Sequence, residues 1–480
     1  LNPLHEILHP KSIVYLGGSN SLTTPGTPQL INILASGFTG EVFPIHLKEE
    51  TVLGLRAYRS VLELPYPADL AILVIPAGAV PPVLRECGQK GIKRAVIVTA
   101  GFSEVGDKSL ENEIQNTAGE FGIRFIGPNC LGVNNPYNNF NCTWFPYHYK
   151  KGHFSLVSQS GSYSAHINHY LENNGIAVRC AISVGNQTSI DTVDCLEYLK
   201  DDAYTKVIGL YLEGVKDGRR FLEVARQVSL QKPIVALYVG GTETGARSGS
   251  SHTAALSAPD EIYNGAFKQA GIIRAYSVEE MLDFCLAFAN QPLPKGNRVA
   301  VLTNSGGPAT SMADTCDREG LEIPVFSDEL QRKIQPFLLA TATGKNPVDL
   351  TMTLDTRPLM VDIPRFVYEF KEADAILFYG LFGTRHASEK VEAMKGLIDF
   401  PTPVEKMEIY IDGLCDSLIK FTSETGLPVL GSSFWGRNDR PVAYLQDRGI
   451  PMYISPERAA RSLAAMWRYR QWLNANISDS

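Results

Sequence analysis

The sequence has no CxxC pair. Its eight cysteines (Cys87, Cys130, Cys142, Cys180, Cys195, Cys285, Cys316 and Cys415) are scattered. That fits reduced thiols in a cytosol better than a disulfide frame or a zinc site. No apolar run approaches the ~20 residues of a membrane span. The opening residues, LNPLHEILHPKSI, have neither the basic start nor the apolar core of a secretory signal. A cytoplasmic protein with no membrane contact is therefore expected. There is no excess of positive charge: 44 Lys and Arg stand against 51 Asp and Glu, a net −7. This argues against nucleic acid as a partner. His166 and His169 stand three apart on a helical stretch with no third ligand in view, so they read as structural and no metal site is expected. The sequence also has no Walker A loop and no complete G-x-G-x-x-G fingerprint. What it does have is 480 residues at 44% hydrophobic and 20% charged content. That is a soluble globular composition, with room for about three domains at ~150 residues each.

From Ser12 to about Asn135, apolar runs alternate with helical stretches. SIVYLGG, EVFPIHL, LAILVIP, RAVIVTAG and RFIGP read as strands; TPQLINILASG, AVPPVLRECGQKG and LENEIQNTAGEFG read as helices. Such alternation predicts a parallel, doubly wound α/β sheet with right-handed crossovers. The first turn, Gly17-Gly18-Ser19-Asn20, lies where these sheets hold phosphates on backbone N–H groups. The second strand ends in His46 and Lys48, with Glu49 and Glu50 following, where an NAD site calls for an acidic residue. A lysine there suits a ligand with a phosphorylated ribose, and NADP and coenzyme A both qualify. A merely solvated Lys48 is the alternative.

Near Gly152 the alternation restarts. HFSLVSQSGSYSAHINHYLENNG reads as strand, tight turn and helix, with Ser158-Gln159-Ser160-Gly161 in the turn. Its N–H groups open a helix N-terminus, an anion site by geometry and dipole, although such turns also serve as ordinary caps. The strand KVIGLYLEG ends in Glu213, at the edge where ligands bind in such sheets. PIVALYV is followed by VGGTETGARSGSSHTAALSAPD, at 239–260. Gly240, Gly241, Gly245 and Gly249 make this a poor helix and a poor strand. Its histidine, His252, has a nitrogen that is nucleophilic when neutral and a good leaving group when protonated, so it can carry a phosphoryl group. A nearby carboxylate such as Glu213 would orient the ring. An incidental histidine on a surface loop is the plain alternative. PLPKGN, at 292–297, reads as a linker. A third α/β unit follows, opening with a strand and the turn Asn304-Ser305-Gly306-Gly307.

Taken together, the motifs resemble the α chain of the nucleoside-diphosphate-forming acyl-CoA synthetases, the superfamily that includes succinyl-CoA synthetase. They are GGSN at 17–20, VIPAGAV at 74–80, VTAGFSE at 98–104, IGPNCLGV at 126–133, SQSG at 158–161, SVGN at 183–186, YLEG at 211–214, GARSGSSHTAALS at 245–257, TNSGGPA at 303–309, NPVDLT at 346–351 and GIPMYISPERAARSL at 449–463. The similarity spans nearly the whole chain, in the family order. It implies a Rossmann-like CoA-binding domain over 1–148, a flavodoxin-like ligase domain over 149–292 and a second flavodoxin-like domain over 296–472.

By the same resemblance, His252 is the phosphohistidine and Glu213 the acid that contacts it. Ser160, Gly161 and Ser251 would bind phosphate. Gly17, Ser19, Asn20, Lys48, Ile75, Pro76, Thr99, Gly101 and Asn129 would bind coenzyme A. The chain shows no stretch for an ATP-grasp domain, so ATP or ADP with Mg2+ would sit on a separate β partner or a fused segment. A hetero-oligomer with α–α contacts and a small carboxylic acid as substrate are expected. An NADP-linked oxidoreductase and a non-catalytic CoA-binding protein are the rival readings. Two departures stand out: Ala254 replaces the family's usual glycine after SHT, and residues 134–152 are rich in aromatics. The aromatics would line a bulkier acyl pocket or pack a linker.

Overall fold

The computed structural model describes residues 2–106, 108–145, 150–245, 258–339, 342–351, 355–380, 382, 384–394 and 404–477. His252 and Ser251 therefore lie outside the described residues, as do the side chains of His166 and His169. The chain forms two compact units. One is Leu1–Glu172 with Ile176–Val278; the other is Glu279–Ser480 with Asn173–Gly175.

The first unit holds two sheets. Strands β1 (Ser12–Leu16), β2 (Glu41–Ile45), β3 (Leu70–Leu73), β4 (Arg94–Ile97) and β5 (Arg124–Ile126) form a parallel, Rossmann-like sheet in the order β2-β1-β3-β4-β5. Every residue of β1 and β3 is buried, as expected of strands covered on both faces. Their side chains alternate between two cores. Ile13, Tyr15, Leu70 and Ile72 enter one; Val14, Leu16, Ala71 and Leu73 enter the other. The second core is closed by helices Val80–Lys90 and Lys108–Phe121, through Val80, Leu84, Ile114 and Ala118.

The first of those cores continues into the second sheet through Val157, Ile182, Leu210 and Ala236. That sheet contains β6 (Val133–Asn135), β7 (Phe140–Asn141), β8 (Lys151–Ser158), β9 (Val178–Ser183), β10 (Val207–Leu212), β11 (Ile234–Tyr238) and β12 (Ile273–Ala275), in the order β12-β11-β10-β8-β9-β6-β7. β8 to β12 are parallel, and β6 and β7 add antiparallel at one edge. Thus the chain between residues 133 and 141 pairs with the second sheet, although it precedes residue 148. Polar staples fix it to the first sheet's layer. Gln29 Nε2 donates to Cys142 O (3.0 Å), Asn32 Nδ2 to Thr143 O (2.8 Å) and Asn135 Nδ2 to Leu8 O (2.8 Å). All three bonds are buried, where a missing partner would cost about 1–3 kcal/mol.

The second unit has one parallel sheet of β13 (Val299–Thr303), β14 (Val348–Asp349), β15 (Ala375–Tyr379), β16 (Val429–Ser432) and β17 (Met452–Tyr453), ordered β14-β13-β15-β16-β17. A closing helix, Pro456–Ile477, buries Ala459, Ala460, Leu463, Ala464 and Met466.

Counted within each sheet, all three parallel arrays have the order 2-1-3-4-5, the flavodoxin-like order. Each reverses direction between its first and third strands. The crevice at that reversal, beyond the strands' C-terminal ends, is where such sheets take ligands. Among the described residues, no helix is long and apolar enough to cross a membrane.

Candidate functional site

A cavity of about 1130 Å3 opens within the first unit and reaches the reversal points of both its sheets. From the first sheet it is lined by Gly17, Val74, Ile75, Pro76, Val98 and Thr99. From the second it is lined by Gln159, Ser160, Gly161, Tyr211, Glu213 and Gly240, with Asn129 and Leu131 between.

Local geometry explains these positions. Gly17 has φ +106°, and a Cβ there would stand 2.0 Å from Val74 O. Gly26 lies against it; its Cβ would meet Gly17 O at 2.5 Å, and its own carbonyl accepts from Tyr15 Oη at 2.6 Å. The backbone of the first turn is thus left bare toward the cavity, as close approach to a phosphate requires. Thr99 Oγ1 donates to Ile75 O (2.7 Å), tying together the turns after β3 and β4. Asn129, at φ +55°, donates its N–H to Thr99 O (2.8 Å) and its side-chain amide to Asn186 Oδ1 (3.2 Å). Ser160 and Gly161 open the helix Gly161–Asn173, and Glu213 follows β10. Tyr211 stacks on Tyr163 at 4.3 Å, and burial first, then the nearby Glu213 charge, pushes its phenol pKa well up.

Of the residues singled out in the sequence, Gly17, Ile75, Pro76, Thr99, Asn129, Ser160, Gly161 and Glu213 meet at this cavity. Four stand apart from its lining. Ser19 is buried, its Oγ 2.6 Å from Thr24 Oγ1, so it braces the first turn. Asn20 is held by the segment that follows β2: it bonds Glu49, donates to Thr51 O (2.8 Å) and accepts from Leu53 N (2.8 Å). Gly101, at φ +106°, donates to Glu104 Oε1 (2.5 Å). Lys48 is exposed. Of the aromatics in 134–152, Trp144 lines the cavity and is 47% exposed; Phe140 is core, and Tyr137 packs on Arg179. No cluster of metal-ligating side chains occurs among the described residues.

The comparisons agree with this layout. A family described as "CoA binding domain" matches residues 11–136, and one described as "Succinyl-CoA ligase like flavodoxin domain" matches 151–288. The α subunit of acetate–CoA ligase (ADP-forming) II of Pyrococcus furiosus is 37% identical over 96% of this chain and 97% of its own length. This chain belongs to the ADP-forming acyl-CoA synthetases, as an α subunit.

A solved acetyl-coenzyme A synthetase of Candidatus Korarchaeum cryptofilum, in complex with phosphate and ADP, superposes with a TM-score of 0.86 at 30% identity, over 100% of this chain and 99% of that one. The acetate–CoA ligase (ADP-forming) of Methanocaldococcus jannaschii is 36% identical over 97% of this chain, which spans 63% of that enzyme. The synthetase fold and the acid–thiol ligase class follow from these relatives; the oxidoreductase and non-catalytic readings are not favoured.

Two residues of this synthetase subunit escaped the sequence reading. Gln159, inside the quoted SQSG, is 4% exposed and bonds the Glu213–Gly214 turn. Asn186 donates to Glu104 Oε2 (2.6 Å). Burial pushes the Glu104 carboxyl up, but the bonds from Asn186 and from the N–H groups of Gly101 and Phe102 prevail and hold it below the usual range. The only sequence signal for either was an amide side chain beside a turn glycine or serine.

Proposed function

We propose that this subunit interconverts acyl-CoA and phosphate with a carboxylic acid, coenzyme A and a phosphoryl group carried on His252. The observation that carries this reading is the single cavity shared by the bare turn at Gly17 and the helix start at Ser160–Gly161, with Glu213 on its wall. Gly17, Ile75, Pro76, Thr99 and Asn129 would hold coenzyme A, with Ser19, Asn20 and Gly101 bracing their turns and Lys48 meeting its adenosine end. Coenzyme A supplies the thiol that exchanges with phosphate at the acyl carbon.

Phosphate displaces the thiolate, giving acyl phosphate and free CoA. A ring nitrogen of His252 then takes the phosphoryl group and releases the carboxylate. Glu213 holds the imidazolium as charge develops, worth about 1.5–3 kcal/mol for a hydrogen bond to a charged group. The helix start at Ser160–Gly161, with Ser251, holds the phosphoryl oxygens, since this chemistry depends mainly on positioning and electrostatics. Glycines in the 239–260 stretch would let the histidine serve a second site.

That second site would lie on an ATP-grasp β partner carrying ATP or ADP with Mg2+. The α-subunit naming of the Pyrococcus relative supports a separate chain; α–α contacts within the assembly are part of the proposal. The relatives named acetate–CoA ligase support a small carboxylic acid as substrate. Eight buried, unpaired thiols support a cytoplasmic setting.

The test is phosphorylation of the chain by γ-labelled ATP and Mg2+ with an ATP-grasp β chain. The label should be acid-labile and base-stable, and His252→Ala should take up none while still binding CoA. Labelling of the His252→Ala chain at the wild-type level would refute this assignment.

A further inference from the structure

Beyond the C-terminal ends of β8 and β10 the parallel ladder stops, at the pair Ser158 and Tyr211. One strand turns into the helix Gly161–Asn173; the other runs on to Glu213. Two segments leaving a sheet at such a crevice normally splay, because no backbone pairing holds them. Here one side chain continues the pairing. The Gln159 N–H still donates to Tyr211 O (3.2 Å). Its side-chain oxygen then accepts from Glu213 N (2.5 Å) and Gly214 N (3.0 Å), and its amide nitrogen donates to Gly214 O (2.6 Å). The carboxamide thus pairs both polar groups of the Gly214 residue, and the pattern fixes which end is oxygen: two N–H groups face one atom and a carbonyl faces the other.

The side chain is itself held. Its Nε2 lies 3.4 Å from Thr192 Oγ1, which donates to Gln187 Oε1 at 2.8 Å. Gln159 is 4% exposed, and it immediately precedes Ser160 and Gly161. A long, flexible side chain buried with all its polar atoms bonded is an ordered strut.

We propose that Gln159 is a positioning residue, whose carboxamide fixes the Glu213–Gly214 turn against the Ser160–Gly161 helix start. Its carboxamide is committed to the Glu213–Gly214 turn and to Thr192. It sets the separation between the carboxylate and the anion-holding N–H groups, which the proposed transfer needs constant. The role in turnover rests on the functional reading above; the tether itself does not.

The experiment compares Gln159→Met, similar in length but without the amide, and Gln159→Glu, which keeps an acceptor for both N–H groups but loses the donor. In the complex with an ATP-grasp partner, Gln159→Met should lower kcat about 10- to 100-fold, with KM for CoA unchanged within about twofold, and Gln159→Glu should fall between it and wild type. On the chain alone, hydrogen exchange of a peptide spanning 211–217 should quicken about tenfold in Gln159→Met, while one spanning β1 stays unchanged. Wild-type kcat in Gln159→Met would overturn the proposal. So would a loss shared equally by kcat and CoA affinity, or exchange at 211–217 that does not change. If the wild-type complex itself turned nothing over, the functional reading would fall while the exchange comparison still decided the tether.

Discussion

Replacing Arg179 by methionine should destabilise the first unit by about 3–5 kcal/mol, the cost of removing one partner from a buried ion pair. The guanidinium is 2% exposed and its partner Asp202 8%. Nε donates to Asp202 Oδ2 at 2.9 Å and Nη2 to Oδ1 at 2.8 Å, a bidentate pairing. Nη1 donates to Asn135 Oδ1 at 2.8 Å, which ties β9 to the neighbouring antiparallel strand β6. Tyr137 and Tyr204 lie 5.2 and 5.5 Å from the guanidinium carbon. Methionine fills much of the same volume and keeps some contact with these rings. It leaves Asp202 with Thr205 Oγ1 (2.6 Å) as its remaining side-chain donor.

The pair also sets a pH dependence. Burial pushes the Asp202 carboxyl up, but the Arg179 bonds outweigh it, and the net shift is downward. A carboxylate with a depressed folded-state pKa contributes stability that is present above its unfolded value of about 3.9 and is lost as pH falls through the folded value. Wild type should therefore lose this contribution below about pH 4, and Arg179→Met should lack it already at neutral pH. Segment-resolved hydrogen exchange is the assay. Amides of β9 that open only by global unfolding should exchange about 10²- to 10⁴-fold faster in the variant. Adding Asp202→Asn should restore part of the loss, because no unpaired charge is then left buried. A change below about 1 kcal/mol in Arg179→Met would refute the claim that the pair is desolvated.

Gly17→Ala should lose most CoA affinity and lower the melting temperature, because the added Cβ would sit 2.0 Å from Val74 O at a φ of +106°; calorimetric CoA titration and thermal unfolding check both. Lys48→Glu should weaken CoA at low salt, less so at high salt, and leave the melting temperature within about 2 °C, since Lys48 is exposed; an affinity equal to wild type would remove this lysine from the site. Glu213→Gln should slow phosphorylation of His252 by about 1–3 kcal/mol in barrier while leaving the nucleophile in place. Stopped reactions with labelled ATP and the β partner measure it, and an unchanged rate would exclude the carboxylate from the transfer.

The sequence by itself determined the doubly wound class, because parallel strands buried on both faces leave a local record: short apolar runs such as SIVYL and IVALY, between helical periodicities. It also placed Gly17, Ser160, Gly161 and Glu213 at the strand-end turns that line the cavity, since every parallel strand ends at the same edge of its sheet. Only the tertiary structure decided that two of the sheets share a core, so that their reversal points open on one cavity. The strands β6 and β7 were not legible, because segments of three and two residues carry no periodicity; β6 pairs on the edge of β9, and β7 on β6. Asn20 stands in the GGSN motif and Lys48 just after the second strand, but the sequence does not show that the fold commits the Asn20 amide to Thr51 and Leu53 and leaves Lys48 in solvent. Gln159 shows the same limit from the other side. Its partners, Thr192, Glu213 and Gly214, are 33 to 55 residues away, and a hydrogen bond across that distance leaves no mark in the sequence around it.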